Sequence, residues 1–297
     1  MLPKTTYLLF FILVLATSGN CFCQRGMGKD KQTGYADIGK CKLYYEIKGE
    51  GTPLIMIHAG MLSKEIWDPQ FNEFAKKFKV IIYDARNHGL SQSEPDTFSH
   101  HKDLYLLMEK LNISKAVIMG ESMGGYIAID FAIAYPEKVI ALIPVAPGLT
   151  GYEFKDKIWL ENKEKINNAQ TIEEAVEYIQ ITWTDGPYRT PEQVDPLIRN
   201  KAKQMYIDCI KNMKPGVIEV RLAPPAINRL SSIVAPTLVI VGDLDIPGII
   251  EIADLIVKDV KGAQKMTIKG AAHLVNMEKP VEFNQAVISF ISGLNYR

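Results

Sequence analysis

The sequence predicts an α/β protein, with a mostly parallel central sheet, helices on both faces and an inserted all-helical cap. Two observations carry this. Short apolar, β-branched runs alternate with helical patterns, which is the signature of strand–helix–strand units. Several of these runs, such as 54–57 and 237–241, are apolar at nearly every position, as expected for strands buried on both faces of a parallel sheet.

Near the start of the chain Lys4 precedes a stretch of ten apolar residues, 7–16, followed by small and polar residues through Cys23. That order is expected of a secretory signal peptide spanning 1–23, with cleavage leaving Gln24 first. Ten residues fall short of the ~20 needed to span a bilayer. The mature protein is therefore expected to be secreted or periplasmic, without stable membrane insertion; an uncleaved N-terminal anchor is the alternative. Strand-like runs follow near 42–47, 54–57, 80–83, 116–119, 139–145, 237–241 and 264–268. The chain closes on Phe283, Ala286, Val287, Phe290, Ile291 and Leu294, an i, i+3, i+4, i+7 stripe that predicts a helix with one buried face.

Residues 150–230 break the alternation. They are charged and helical in pattern, and set apart an insertion from a core made of 24–149 and 231–297. Two helix starts stand out, Thr171-Ile172-Glu173-Glu174 and Thr190-Pro191-Glu192-Gln193, each a capping box, the second with Pro at the first helical position. The apolar positions Ile172, Val176, Ile179 and Trp183 are expected to face the core.

Composition bounds the function. At 297 residues and 47% apolar content the chain can bury a large core. Lys+Arg and Asp+Glu are both 34, and no basic stretch stands out, so nucleic-acid binding is not expected. There is no metal-ligand spacing of Cys and His and no G-x-G-x-x-G, so neither metal nor dinucleotide cofactor is implied. Beyond the signal segment, Cys41 and Cys209 are expected to be buried or free rather than paired.

The chemistry is concentrated at 120–125, Gly-Glu-Ser-Met-Gly-Gly, directly after the run 116–119. This places G-x-S-x-G at a strand-to-helix turn, where the hydroxyl of Ser122 is exposed and backbone N–H groups of the new helix can meet a developing negative charge. Ser122 is the candidate nucleophile, and a serine needs a base. The chain has five histidines. His58 and His88 fall in turns, where a backbone hydrogen bond explains them; His100 and His101 open a polar helix and are expected to be solvated. His273, in Gly270-Ala271-Ala272-His273 after the run 264–268, is the only one beyond the serine and is the candidate base. The acid is expected at the end of the strand 237–241, where Asp243 and Asp245 compete; spacing leaves the two level.

In these blocks the chain resembles the α/β-hydrolase fold superfamily, in particular its single-domain serine esterase and enol-lactonase-like members with a helical cap. The resemblance spans roughly 34–294. It rests on Ile57-His58-Ala59-Gly60, Asp84-Ala85-Arg86-Asn87-His88-Gly89-Leu90-Ser91, the Gly120–Gly125 block, Val241-Gly242-Asp243-Leu244-Asp245 and Gly270-Ala271-Ala272-His273, in that order. The family's Ser…Asp…His order implies a triad of Ser122, Asp245 and His273, with Asp245 preferred because the acid takes the fourth position of G-x-x-D. The family usually has His-Gly where this chain has His58-Ala59. That departure is mild, since the implied oxyanion donor is the N–H one residue on, at Gly60, with the N–H of Met123 as the second. Met61, Met123 and aromatics, Trp183 among them, are expected to line a pocket for a small or medium acyl group.

The implied reaction is hydrolysis of a small-molecule carboxylic ester or lactone through an acyl-enzyme. A ligand sensor on the same fold with slow or single turnover, or an amide (iminopeptidase-like) hydrolase, is the alternative. An aspartate at the elbow, as in relatives that open epoxides or displace halides, is excluded by Ser122.

Overall fold

The computed structural model describes residues 30–294; the expected signal peptide lies outside them. Eight strands form the main path of the sheet. They are β1 (Gln32–Asp37), β2 (Cys41–Lys48), β3 (Pro53–Ile57), β4 (Lys79–Tyr83), β7 (Ala116–Glu121), β8 (Val139–Val145), β10 (Leu238–Gly242) and β11 (Gln264–Ile268). Their spatial order is β1-β2-β4-β3-β7-β8-β10-β11. The two-residue strand β5 (Gln92–Ser93) adds to β2, and β6 (Asp96–Phe98) lies outside this sheet. Pairing is antiparallel from β1 to β4 and parallel from there on. Every residue of β7 and β10 is buried, as is every residue of β3 after Pro53. The all-apolar runs of the sequence are thus the central strands.

Helices cover both faces. They comprise α1 (Asp68–Phe74), α2 (His100–Lys110), α3 (Met123–Ala134), α7 (Pro247–Asp259), α8 (Val275–Glu278) and α9 (Pro280–Gly293). In α9 the predicted stripe buries Phe283, Val287 and Ile291. No described helix is long and apolar enough to cross a membrane.

Between β8 and β10 lie α4 (Lys157–Asn168), α5 (Ile172–Ile179), one π-helical turn (Gln180–Asp185) and α6 (Pro196–Asn212). One strand interrupts this helical segment: β9 (Val217–Glu219) pairs in parallel with β6. Its residues are half-buried or exposed, so backbone pairing rather than side-chain burial makes it a strand. Thr171 caps α5 by accepting from the Glu174 N–H at 3.1 Å, but the Glu174 carboxylate accepts from Gln170, one residue earlier than the capping box predicts. The box at Thr190 forms but encloses only a single 3₁₀ turn. The longer helix α6 starts behind Asp195, which accepts from the Leu197 N–H at 2.8 Å. Val176 and Ile179 are buried, and Ile172 and Trp183 pack half-buried against the core. Among the described residues, Cys41 and Cys209 are both buried and unpaired.

The fold positions the site through one close approach. Helix α3 lies so near β7 and β3 that a Cβ on Gly120 would sit 2.0 Å from the Gly124 carbonyl oxygen, and one on Gly124 would sit 2.2 Å from that of Ile57. The obstacles are backbone atoms, which cannot swing aside as a flexible side chain can. Gly124→Ala is therefore expected to cost about 3 kcal/mol, seen as a lowered urea midpoint with an unchanged m-value.

Candidate active site

Ser122 sits between the end of β7 and the start of α3 with φ 53° and ψ −105°, a conformation that strains a residue with a Cβ by about 1–3 kcal/mol. It is held there from both sides. Its N–H donates to the Val145 carbonyl at 2.9 Å, and its own carbonyl accepts from the N–H groups of Gly148 (2.9 Å) and Tyr126 (3.1 Å). The amide of Met123 follows at the N-terminus of α3, where unpaired N–H groups and the helix dipole favour negative charge.

Gly60 lies against this turn. A Cβ on it would be 3.5 Å from the Cβ of Met123. The preceding peptide is pinned by His58, which is fully buried. Its Nε2 accepts from the Ala85 N–H at 2.9 Å, so Nδ1 carries the proton and donates to the Ala59 carbonyl at 2.7 Å. In a trans peptide the C=O and N–H point in opposite directions. Anchoring the Ala59 oxygen therefore also sets the direction of the Gly60 N–H. His88 supports the next residue: Nδ1 bonds the Arg86 carbonyl (2.9 Å), and Nε2 accepts from the Met61 N–H (3.4 Å). Both imidazoles are turn residues bonded to backbone, as the sequence suggested. Burial pushes each down to about 4. The loop they grip is itself locked, because Asp84 accepts from the N–H groups of Lys64 and Leu90 and Arg86 makes a two-pronged bond to Asp103.

At the far ends of β10 and β11 the aspartate that the resemblance preferred is the one that meets the histidine. Asp245 is fully buried; its Oδ2 lies 2.8 Å from His273 Nδ1, and its Oδ1 accepts from the Ile246 N–H at 2.8 Å. Asp243 is exposed and instead accepts from the Gly270 N–H. The carboxylate holds the imidazole by Nδ1, which leaves Nε2 as the ring nitrogen on the side away from Asp245. Trp183 stacks obliquely on His273, with ring centroids 4.5 Å apart, and continues into Trp159 and Phe154. Met61 is half-buried at φ 60°.

His100 and His101 depart from expectation. Both are buried, not solvated. His100 meets Phe98 edge-on with centroids 4.8 Å apart, and His101 lies 6.4 Å from Tyr135. Helix α2 turns its first residues inward, and the neutral imidazole serves there as an aromatic surface. Glu121, beside the serine, carries no sequence signal beyond being the variable position of G-x-S-x-G. It is fully buried with neither carboxylate oxygen hydrogen-bonded. Burial, with Asp245 and Glu278 nearby, drives its pKa well up.

A histidine buried as the neutral form makes stability depend on pH. The unfolded chain takes up the proton near ~6.5, whereas folded His58 resists it down to about 4. Its contribution is complete above pH ~6.5 and is lost as pH falls towards 4, reaching about 3 kcal/mol. Urea unfolding across pH 4–7 should show that decline, and His58→Gln should flatten it by the share of one histidine at a lower absolute stability.

The family described as the alpha/beta hydrolase fold matches residues 52–280. The chain is 26% identical to the 2-hydroxy-6-oxo-6-phenylhexa-2,4-dienoate hydrolase of Comamonas testosteroni, over 86% of this chain and 93% of that one. It is 24% identical to 3-oxoadipate enol-lactonase 1 of Acinetobacter baylyi, over 77% of this chain and 84% of the relative. The solved carboxylesterase CesB of Bacillus subtilis matches with a TM-score of 0.71 at 21% identity, over 90% of this chain and 93% of that one, a likeness of fold. With the sheet order, the serine turn and the family match in agreement, the chain belongs to the α/β-hydrolase fold family.

Proposed function

We propose that this α/β-hydrolase cleaves a small or medium carboxylic ester or lactone by the serine mechanism. The observation that carries the reading is the buried Asp245–His273 bond of 2.8 Å, at the same end of the sheet as a serine held at positive φ. His273 takes the Ser122 proton as Oγ attacks the carbonyl carbon. Asp245 holds the imidazole tautomer and stabilises the imidazolium that forms. The N–H groups of Gly60 and Met123 receive the oxyanion; one such donor is worth ~2.7–4 kcal/mol of barrier. His273 then returns the proton to the leaving group and activates water to release the acid.

Residues 150–230 act as the cap over this site, and Met61, Met123 and Trp183 contribute its apolar wall. The relatives named as a 3-oxoadipate enol-lactonase and a 2-hydroxy-6-oxo-6-phenylhexa-2,4-dienoate hydrolase support carbonyl substrates of modest size. The protein is proposed to work outside the cytoplasm, on the strength of residues 1–23.

A time course with p-nitrophenyl butyrate tests the reading. Many turnovers per enzyme are expected, abolished in Ser122→Ala with little change in thermal stability. Asp245→Asn should lower kcat by about 10⁴, far more than Asp243→Asn. A single stoichiometric burst in the unaltered protein would instead favour a ligand sensor. The reverse ranking of the two aspartates would overturn the assignment of the acid.

A further inference from the structure

The segment from the π-helical turn to Arg189 touches the two loops that carry Asp245 and His273 in three ways. Trp183 lies on the His273 ring. Gly186, at φ 78°, passes between those loops so closely that a Cβ there would be 2.7 Å from both the Ala272 Cβ and the Leu244 carbonyl oxygen. Arg189 closes the set. Its Nε donates to the Asp185 carbonyl at 2.6 Å and its Nη2 to the Thr184 carbonyl at 3.1 Å, while Nη1 pairs with the Glu278 carboxylate. The other oxygen of Glu278 accepts from the N–H of Ala272, the residue before His273, at 2.9 Å. Both side chains of the pair are almost fully buried.

We propose that segment 180–189 positions the catalytic histidine, with the Arg189–Glu278 pair carrying the seating of the cap into the alignment of His273 on Asp245. The proposal rests on the reading of His273 as general base. The guanidinium suits this task because its planar fork binds two carbonyls of the cap and one carboxylate of the core at once, which a single ammonium cannot do in fixed directions. The carboxylate in turn divides its two oxygens between the cap cation and the backbone of the histidine loop. Displacing the cap therefore frees Glu278 to move, and with it the peptide that leads into His273. A π-helical turn at this point fits, since such turns collect at functional sites. Arg189 and Glu278 are positioning residues; neither needs to touch substrate.

The simpler alternative is that the pair only fastens the cap. A second cap-to-core ion pair, Lys201 with Asp68, is solvent-exposed and far from the histidine loop in sequence, and supplies the control. Arg189→Gln, Glu278→Gln, the double variant and Lys201→Ala are compared at a temperature where circular dichroism shows all of them folded. The proposal expects kcat for p-nitrophenyl butyrate to fall about ten- to a hundred-fold in the two bridge variants, with KM changed less than about two-fold. The double variant should be no worse than the poorer single one, because both act through one bridge. Lys201→Ala should keep its kcat. Independently of turnover, the low-field proton resonance of His273 Nδ1–H should shift or broaden in the bridge variants and persist in Lys201→Ala. Bridge variants that lose thermal stability alone, with kcat and that resonance intact, would overturn the proposal. So would an equal loss of kcat in Lys201→Ala. Should the unaltered protein turn over no ester while the resonance still responds to the bridge variants, the hydrolase reading fails and the positioning role stands.

Discussion

The site depends on one constraint: a serine backbone held at positive φ where a buried strand becomes a helix. Ser122 would relax to an ordinary conformation if it could. It cannot, because its N–H is committed to β8 and its carbonyl to Gly148 and to the first turn of α3. Those partners are in place only when β7, β8 and α3 are packed. The strain of about 1–3 kcal/mol is offset by the burial of three of the most apolar elements in the chain. Glycines at 120 and 124 are the steric condition for that packing, since their missing Cβ atoms are what let α3 reach the sheet.

The parallel sheet does the rest of the assembly. Strands β3, β4, β7, β10 and β11 run the same way, so their loops leave at the same edge of the sheet. There Asp245 meets His273, and the Asn276 side chain meets the Ile66 carbonyl across 210 positions of sequence, with no element built for the purpose. Precision within the loops then comes from buried polar groups gripping backbone. His58, His88 and Asp84 set the Gly60 strand end, and Glu278 sets the approach to His273. Burial keeps the two loop histidines neutral, which they must be for one ring nitrogen of each to accept an N–H.

Legibility followed chemistry. The central strands could be read because burial on both faces demands an unbroken apolar run, and α9 because one buried face demands the helical period. Strand β1 was not read: its residues are exposed or half-buried apart from Ala36, and its pairing with β2 uses backbone groups that every residue possesses. The same holds for β9. His100 and His101 misled because a histidine beside polar neighbours at a helix start resembles a solvated cap, and only the direction in which α2 packs turns the rings inward.

By itself the sequence determined the fold class and pointed to a candidate nucleophile turn and a candidate base, because each of these is a local pattern. A Gly-x-Ser-x-Gly block after an apolar run needs no distant partner to be recognised, and with one histidine beyond the serine the base followed by elimination. Spacing left the two aspartates level, the family resemblance preferred Asp245, and the tertiary structure is what brings that carboxylate to His273. The two carboxylates follow the strand in a turn and take different partners, and spacing cannot say which of them the histidine meets. Tertiary structure alone joined Arg189 to Glu278 across 89 residues. Such pairing is set by how the segment between β8 and β10 packs on the rest of the fold, a three-dimensional relation that leaves no period, motif or composition in the chain.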